Sequence, residues 1–305
     1  MPDVGAMLPI SIVDGGWFVM EKSNQSEYAL GHSHDEIRRL ERQGDYFRKL
    51  TRELFVRAGL REGMRVLDFG GGAGDVAFVA ADLVGLSGTV VSFDRSAEAV
   101  LKARTRAAEL SIQTVSFFEA DEVTVREMLG TTQFDAVVGR LVLVFQKDPA
   151  AVLRTLMSYG RHGGIVAFHE YDQDEACWSQ PKLPLLEQVS MWVIETFRRG
   201  GMITNAAKVA RTFRDAGVQS ARIVREGQVT DGSDPLAHLF LVDIMKNLLP
   251  LAEKRGVTTP ADVRIDSLLE RLKAESTAVE AHWIPAFLVA AWGRIPDHQG
   301  IGTLA

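Results

Sequence analysis

A run of glycines follows a short apolar segment, and acidic residues stand on both sides of it. Residues 66–75 read Val-Leu-Asp-Phe-Gly-Gly-Gly-Ala-Gly-Asp. A strand that runs into glycines and then into an apolar helix presents backbone N–H groups and a helix N-terminus to a ligand, and glycine lets the ligand approach the backbone closely. In an open α/β sheet such turns lie at the carboxyl ends of the strands, where ligands bind. The segment therefore predicts a turn that holds a nucleotide or a nucleoside.

The acidic residues help to distinguish these ligands. Gly70 and Gly72 fit the first two positions of the dinucleotide fingerprint Gly-x-Gly-x-x-Gly, but Asp75 stands at the third. Two carboxylates, Asp68 and Asp75, would repel a pyrophosphate, whereas they are compatible with a ligand that carries an ammonium and a sulfonium. A P-loop is excluded because no Gly-Lys-Ser/Thr follows the glycines. The pattern favours a cationic nucleoside, with a nicotinamide-dependent oxidoreductase as an alternative.

Two further acids close the next two predicted strands. Asp94 ends the second strand, where a carboxylate can accept hydrogen bonds from both hydroxyls of a ribose. Asp121 follows the third strand, where it can accept from an adenine amino group. Arg95 and Glu122 adjoin these acids and are included in the predicted cofactor site.

The elements that must position these residues alternate between strands and helices. Apolar runs rich in β-branched and aromatic residues lie at 64–70, 89–94, 114–120, 135–144 and 164–171, and helical patterns lie at 75–84, 97–110 and 149–159. This alternation predicts a parallel sheet covered on both faces. A helical stretch at 45–58 precedes the sheet. Helices at 181–199 and 204–216, a strand at 220–226, two more helices and a last apolar run at 283–292 follow it.

The composition narrows the classes of partner. The chain has 305 residues, of which 46% are apolar, and its 34 basic and 40 acidic residues give a net charge of −6. A nucleic-acid partner is not expected, since binding a phosphate backbone requires a concentrated positive face. Cys177 is the single cysteine, which excludes an intramolecular disulfide and a cysteine-based zinc site. Without a cleavable leader or a run of about 18 uncharged apolar residues, we expect a cytoplasmic protein with no membrane partner.

These motifs resemble the class I S-adenosylmethionine-dependent methyltransferases. The resemblance rests on the pattern Asp-x-Gly-x-Gly-x-Gly at Asp68, Gly70, Gly72 and Gly74, on Asp94 and Asp121, and on the strand at 134–138. It implies an α/β, Rossmann-like fold with a seven-stranded, mostly parallel sheet and an antiparallel last strand. It also implies S-adenosylmethionine as cofactor and S-adenosylhomocysteine as product.

The N-terminal segment is similar to that of bacterial methyltransferases that act on small molecules and secondary metabolites. The resemblance implies that Tyr28 and Gln43 contact the amino-acid moiety of the cofactor and that Arg140 belongs to the motif after the fourth strand. We expect one structural unit, in which residues 1–60 cover the cofactor and residues 61–305 form the core. Helical insertions near 174–203 and 231–282 would form a cap.

The catalytic residues are less constrained. Methyl transfer is an in-line displacement that depends on orientation and desolvation, and it needs a general base only if the acceptor loses a proton. His169, Glu170 and Tyr28 are the candidate catalytic residues. His169 is the preferred proton acceptor because its unperturbed pKa lies near neutrality, and a structural hydrogen bond is the alternative role.

Aromatic and sulfur-containing side chains in the insertions suggest the acceptor. The candidate substrate residues are Tyr171, Met191, Trp192, His238 and Trp283. A cap built from them would suit an aromatic, indole or terpenoid natural product. No metal is predicted, because a capping box at residues 33–36 accounts for the histidine-rich segment beside it. A non-catalytic cofactor-binding module is the rival interpretation, and residues 1–26 could also join copies into a homo-oligomer.

Overall fold

The structure, a computed structural model, describes residues 34–121, 124–175, 177–202 and 204–296, without the side chains of residues 34–40. The predictions for Tyr28, for Glu122 and for the capping box at residues 33–36 lie outside the described residues.

Seven strands form the main sheet, in the order β3-β2-β1-β4-β5-β10-β7. They are β1 (Arg65–Phe69), β2 (Thr89–Asp94), β3 (Val115–Glu119), β4 (Phe134–Arg140), β5 (Gly160–Asp172), β7 (Gln219–Glu226) and β10 (Phe287–Arg294). The first five are parallel to one another, and β10 is antiparallel to both β5 and β7. The prediction of a mostly parallel sheet with an antiparallel last strand is confirmed.

The helices cover both faces of this sheet. They are α1 (His34–Ala58), α2 (Asp75–Val84), α3 (Ala97–Glu109), α4 (Val125–Leu129), α5 (Pro149–Met157), α6 (Pro184–Arg199), α7 (Ala206–Asp215), α8 (Pro235–Lys254), α9 (Pro260–Val263) and α10 (Ile265–Ala278). One core joins α1, α2 and α3 to one face, and a second joins α4, α5 and α7 to the other. Because both faces are buried, the central strands need apolar residues at consecutive positions, which is why they read as continuous apolar runs.

A third apolar cluster lies beyond the carboxyl ends of β4 and β5. It joins α1 to α6, α8 and α10 and to a small sheet of β6 (Trp178–Gln180), β8 (Thr230–Asp231) and β9 (His282–Ile284). By length and composition α8 could cross a membrane, but it packs against α1, α6 and α10. The inserted helices thus share one core with α1.

Two predicted strands differ from the observed ones. The run at 135–144 ends as a strand at Arg140, because Leu141 has a φ of 56° and a 3-10 turn follows over Leu143–Phe145. The run at 283–292 is divided between β9 in the small sheet and β10 in the main sheet. Apolar composition alone could not locate either break.

Helix α1 packs on α2 where its glycine meets a buried carboxylate. A Cβ atom at Gly44 would overlap the carboxyl group of Asp75, the first residue of α2. Asp75 is held in place by Arg106 of α3, whose Nη1 lies 2.9 Å from its Oδ1. The absence of a side chain at Gly44 therefore sets how closely α1 approaches the glycine turn.

We expect Gly44→Ala to lower the free energy of unfolding by about 1–2 kcal/mol, because the added methyl group overpacks a fixed ion pair. Helix propensity alone predicts the opposite, a gain of up to about 1 kcal/mol. Urea denaturation of both Gly44→Ala and the exposed control Asp45→Ala measures the difference. A more stable Gly44→Ala protein would contradict the close packing.

Candidate active site

The glycine turn rests against the end of β2. Gly70, Gly72 and Gly74 have φ values of 67°, 52° and 94°, which favour glycine. The N–H groups of Gly70 and Gly71 donate to the carbonyl oxygen of Phe93 at 2.9 and 3.1 Å. A Cβ atom at Gly71 would collide with the hydroxyl of Ser92. The turn is therefore fixed by the neighbouring strand, and its backbone is open to close approach.

Asp68 lies beneath this turn and is fully buried. Its Oδ2 accepts a hydrogen bond from Ser92 Oγ at 2.8 Å, while its Oδ1 finds no partner among the described residues. Burial raises the pKa of Asp68 to about 7, against the opposing effects of Ser92 and Arg140. A buried carboxylate oxygen without a donor is suited to a cationic ligand group, which would favour its ionised form.

Asp75 does not act as predicted. Its carboxylate is buried under α1 and paired with Arg106, which also donates to the carbonyl oxygen of Ala73 at 2.6 Å. Burial raises the pKa of Asp75, and Arg106 opposes that rise. Because a guanidinium balances this charge, the expectation that Asp75 repels a pyrophosphate is wrong, and Asp68 alone retains that role.

Asp94, which ends β2, and Asp121, which follows β3, stand at the same edge as the turn. Asp94 accepts from the N–H of Gly72 through Oδ2 and from the N–H of Ser96 through Oδ1, each at 2.9 Å. Each oxygen keeps a second lone pair for a ligand hydroxyl. Asp121 accepts from the N–H and hydroxyl of Thr124 at 2.7 and 2.8 Å, and so begins α4. Arg95 is exposed beside Asp94.

Two of the predicted cofactor residues, Gln43 and Arg140, lie where α1 meets the ends of β4 and β5. Arg140 is buried, donates to Thr51 Oγ1 at 3.1 Å and lies 5.9 Å from the ring centre of Phe47. Gln43 is also buried and accepts from the Tyr171 hydroxyl at 3.4 Å. The structure thus joins α1 to the ends of β4 and β5.

Glu170, predicted to be catalytic, has a different role. Its carboxylate is fully buried and accepts from the backbone N–H groups of Val142, Leu143 and Val144 at 3.0, 2.8 and 3.2 Å. Burial raises its pKa to about 7, and these three donors oppose the rise. Because the carboxylate is satisfied by the loop after β4, we replace the catalytic expectation with a positioning role for that loop.

His169 points to the opposite side of the strand from Glu170, as alternation predicts. The ring is fully buried, and its Nε2 lies 2.8 Å from Glu226 Oε1 of β7; Arg57 of α1 binds the same carboxylate. Burial lowers the pKa of His169, which Glu226 only partly offsets. This network ties β5 to β7 and α1. An imidazole that is fully buried, weakened as a base and already bound through Nε2 is a poor match to the predicted proton acceptor, and the structural hydrogen bond fits better.

The cap residues divide into core, surface and cavity positions. His238 is buried and bound at both nitrogens, with Nδ1 2.7 Å from the Asp234 carbonyl oxygen and Nε2 2.9 Å from Ser276 Oγ. Trp283 is buried against it, with ring centres 4.8 Å apart. Both are therefore core residues, which corrects their prediction as substrate residues.

Of the remaining predicted substrate residues, one lies at a cavity. Met191 is exposed, and Trp192 packs at the edge of the cap core. Tyr171 lines a cavity, partly open to solvent, between the end of β5, α6, α8 and the turn before β10. Its apolar wall is formed by Val193, Ile194, Phe197, Phe240, Leu241 and Ile244. Met191 and Trp192 do not line this cavity, so their prediction is not supported there.

Sequence reasoning missed the residues whose partners are distant along the chain. Arg106, Glu226 and the cavity-lining Ser190 carry no local motif, and each acquires its position only when separate helices and strands pack. The sequence predicted a helix at 181–199 and further helices after the strand at 220–226, but not which of their residues line a cavity.

Comparison with known proteins identifies the family to which the chain belongs. A family model described as a methyltransferase domain matches residues 60–217, just over half of the chain. An aklanonic acid methyltransferase from Streptomyces is 31% identical over 124 residues, 41% of this chain and 56% of that protein. A nocamycin O-methyltransferase from Saccharothrix syringae is 34% identical over 123 residues, 39% of this chain and 43% of that protein. The matching segment spans about half the length of these relatives.

Solved structures agree at the level of the fold. The YcgJ protein from Bacillus subtilis has a TM-score of 0.51 at 14% identity, covering 82% of this chain and 99% of that one. A methyltransferase structure from Bacillus halodurans has a TM-score of 0.50 at 15% identity, covering 81% and 99%.

We expect Glu170→Gln to lower the free energy of unfolding by about 2–4 kcal/mol, because the amide cannot satisfy three backbone donors and leaves buried N–H groups without acceptors. Chemical denaturation measures the loss. Glu119→Gln, an exposed glutamate that ends β3, serves as the control and should change stability by less than about 0.5 kcal/mol. Equal stabilities for the two variants would contradict the positioning role.

Proposed function

The chain belongs to the methyltransferase domain family, and from this premise we propose that it transfers a methyl group from S-adenosylmethionine to a small organic molecule. The single observation that carries the proposal is the glycine turn fixed above the buried Asp68, whose Oδ1 has no hydrogen-bond donor among the described residues. That oxygen lies where a cationic group can be neutralised. The residues present therefore fit the cofactor that the family uses.

In this proposal, different residues of the chain bind different parts of the cofactor. Asp94 accepts from the ribose hydroxyls, and Asp121 accepts from the adenine amino group. Gln43 and Arg140 hold the amino-acid moiety under α1, and Arg140 supplies the positive charge that a carboxylate needs. When bound, S-adenosylmethionine supplies an electrophilic methyl group, which passes to the acceptor as the bond to sulfur breaks and S-adenosylhomocysteine is left.

Catalysis in this proposal depends on orientation. Glu170 holds the loop after β4, and the N–H of Leu141 in that loop donates to the carbonyl oxygen of His169 at 2.7 Å. Gly70 approaches the same loop, because a Cβ atom there would lie 2.5 Å from Val142 Cγ1. The loops after β1 and β4 are therefore held in contact, and a fixed arrangement of these loops orients the bound cofactor for transfer.

We assign the acceptor to the natural-product class, as an aromatic, indole or terpenoid compound. Two observations support this choice: the relatives include methyltransferases named for aklanonic acid and nocamycin, and an apolar cavity adjoins the end of β5. The net charge of −6 argues against a nucleic-acid acceptor.

The affinity for S-adenosylhomocysteine should rise about tenfold between pH 6 and pH 8, because Asp68, with a pKa of about 7, must lose its proton to meet the ligand's ammonium group. Calorimetric titration across this range measures the slope. The neutral analogue 5′-methylthioadenosine lacks the ammonium group and should show no such slope. Asp68→Asn should bind weakly at every pH, and an undiminished slope in that variant would contradict the assignment.

Asp94→Asn should weaken the binding of S-adenosylhomocysteine by about 10- to 100-fold, because charge-assisted hydrogen bonds to the ribose are lost. Asp135→Asn is the matched control: Asp135 lies near the opposite end of β4 and binds Arg161 and the N–H of Arg65. Calorimetry on both variants measures the change.

Two outcomes would overturn the proposal. The first is thermal stabilisation of the protein by NADH and not by S-adenosylhomocysteine. The second is an absence of labelled product when the protein receives methyl-labelled S-adenosylmethionine with a panel of phenols, indoles and terpenoid alcohols. Binding of the cofactor without transfer to any of these compounds would indicate a binding module instead.

A further inference from the structure

The cavity lined by Tyr171 has one charged carboxylate among its described lining residues, and an arginine neutralises it. Asp172 is the one ionisable carboxylate among its described lining residues, and the side chain is buried. Its Oδ2 lies 2.9 Å from Arg225 Nε, and its Oδ1 accepts from the N–H of Asp174 at 3.1 Å. The carboxylate is therefore neutralised before any ligand enters. A charged ligand would lose its hydration without gaining an ionic partner.

The polar groups of the lining are few. Gln173 accepts from the N–H of Thr204 at 2.7 Å through its side-chain oxygen. Ser190 of α6 is buried to 3% exposure, and its hydroxyl makes no hydrogen bond of standard geometry among the described residues, although it lies near the Cys177 thiol, whose burial-raised pKa it partly offsets. An unsatisfied buried hydroxyl is costly, and a ligand atom that pairs with it removes that cost. Ser190 thus offers one polar contact in an apolar wall.

The inner end of the cavity reaches the predicted cofactor residues. Tyr171 lines the cavity and donates its hydroxyl to Gln43 of α1. Phe240, on the cavity wall, packs edge-on against Phe47 with ring centres 5.2 Å apart, and Phe47 lies beneath Arg140. Tyr171 and Phe47 therefore link the cavity lining to the residues assigned to the amino-acid moiety.

We propose that this cavity binds the methyl acceptor as an uncharged ring compound, with one oxygen atom hydrogen-bonded to Ser190 and its reacting end beside Tyr171. The inference rests on the proposed function and specifies the substrate class of the same site. Its mostly apolar lining with a few polar groups is typical of clefts that hold small organic ligands. Specificity comes from the apolar wall and a single hydroxyl.

The test uses the full chain loaded with S-adenosylhomocysteine and three probes, 1-naphthol, naphthalene and 1-naphthoate. Calorimetry should show 1-naphthol binding at least about tenfold more tightly than 1-naphthoate, because the cavity offers no partner for the carboxylate. Ser190→Ala should weaken the binding of 1-naphthol by about 2- to 10-fold and leave the binding of naphthalene unchanged, since only 1-naphthol can form the hydrogen bond.

Variants of the surrounding wall separate binding in the cavity from binding elsewhere. Ile244→Trp should fill the cavity and abolish 1-naphthol binding while the affinity for S-adenosylhomocysteine remains. Gln188→Ala, an exposed position on the same helix as Ser190, should change neither.

The proposal is overturned if 1-naphthol fails to bind, if 1-naphthoate binds as tightly, or if Ser190→Ala or Ile244→Trp leaves 1-naphthol unaffected. Failure of the wild-type protein to bind S-adenosylhomocysteine is a separate result. It would refute the proposed function itself. Loss of 1-naphthol binding alone refutes only the assignment of the acceptor site.

Discussion

The contact between the glycine turn and the end of β2 is the constraint on which the rest of the site depends. Residues 70–72 reach the carbonyl oxygen of Phe93 and the carboxylate of Asp94 only because no side chain intervenes. That contact places Asp68 beneath the turn, where its side chain is buried. A larger residue at Gly71 would separate β1 from β2 at the edge where their acids must converge.

Carboxylates recur at this edge of the sheet and hold backbone N–H groups. Asp94 receives two N–H donors, and Glu170 receives three. Each fixes a loop at the carboxyl end of a strand, where parallel strands deliver their functional groups. Asp68 differs, since one of its oxygens remains without a donor among the described residues. We attribute that difference to the ligand.

Local sequence patterns predicted the parts of the fold that local physics determines. The apolar strands, the glycine turn and the acids that end β2 and β3 were assigned because each depends on residues a few positions apart. Asp75 and Arg106 are 31 positions apart, and His169 and Glu226 are 57 positions apart. No local sequence pattern could therefore predict either pair. His238 and Trp283 were misassigned because the sequence alone does not show whether an aromatic residue of the cap faces the protein core or the ligand.

A crystal structure of the protein with S-adenosylhomocysteine tests the central claim most directly. The account predicts the ribose hydroxyls within hydrogen-bond distance of Asp94 and the ammonium group oriented toward Asp68 beneath the turn. A ligand seated away from residues 70–74, with Asp68 still lacking a partner, would contradict it.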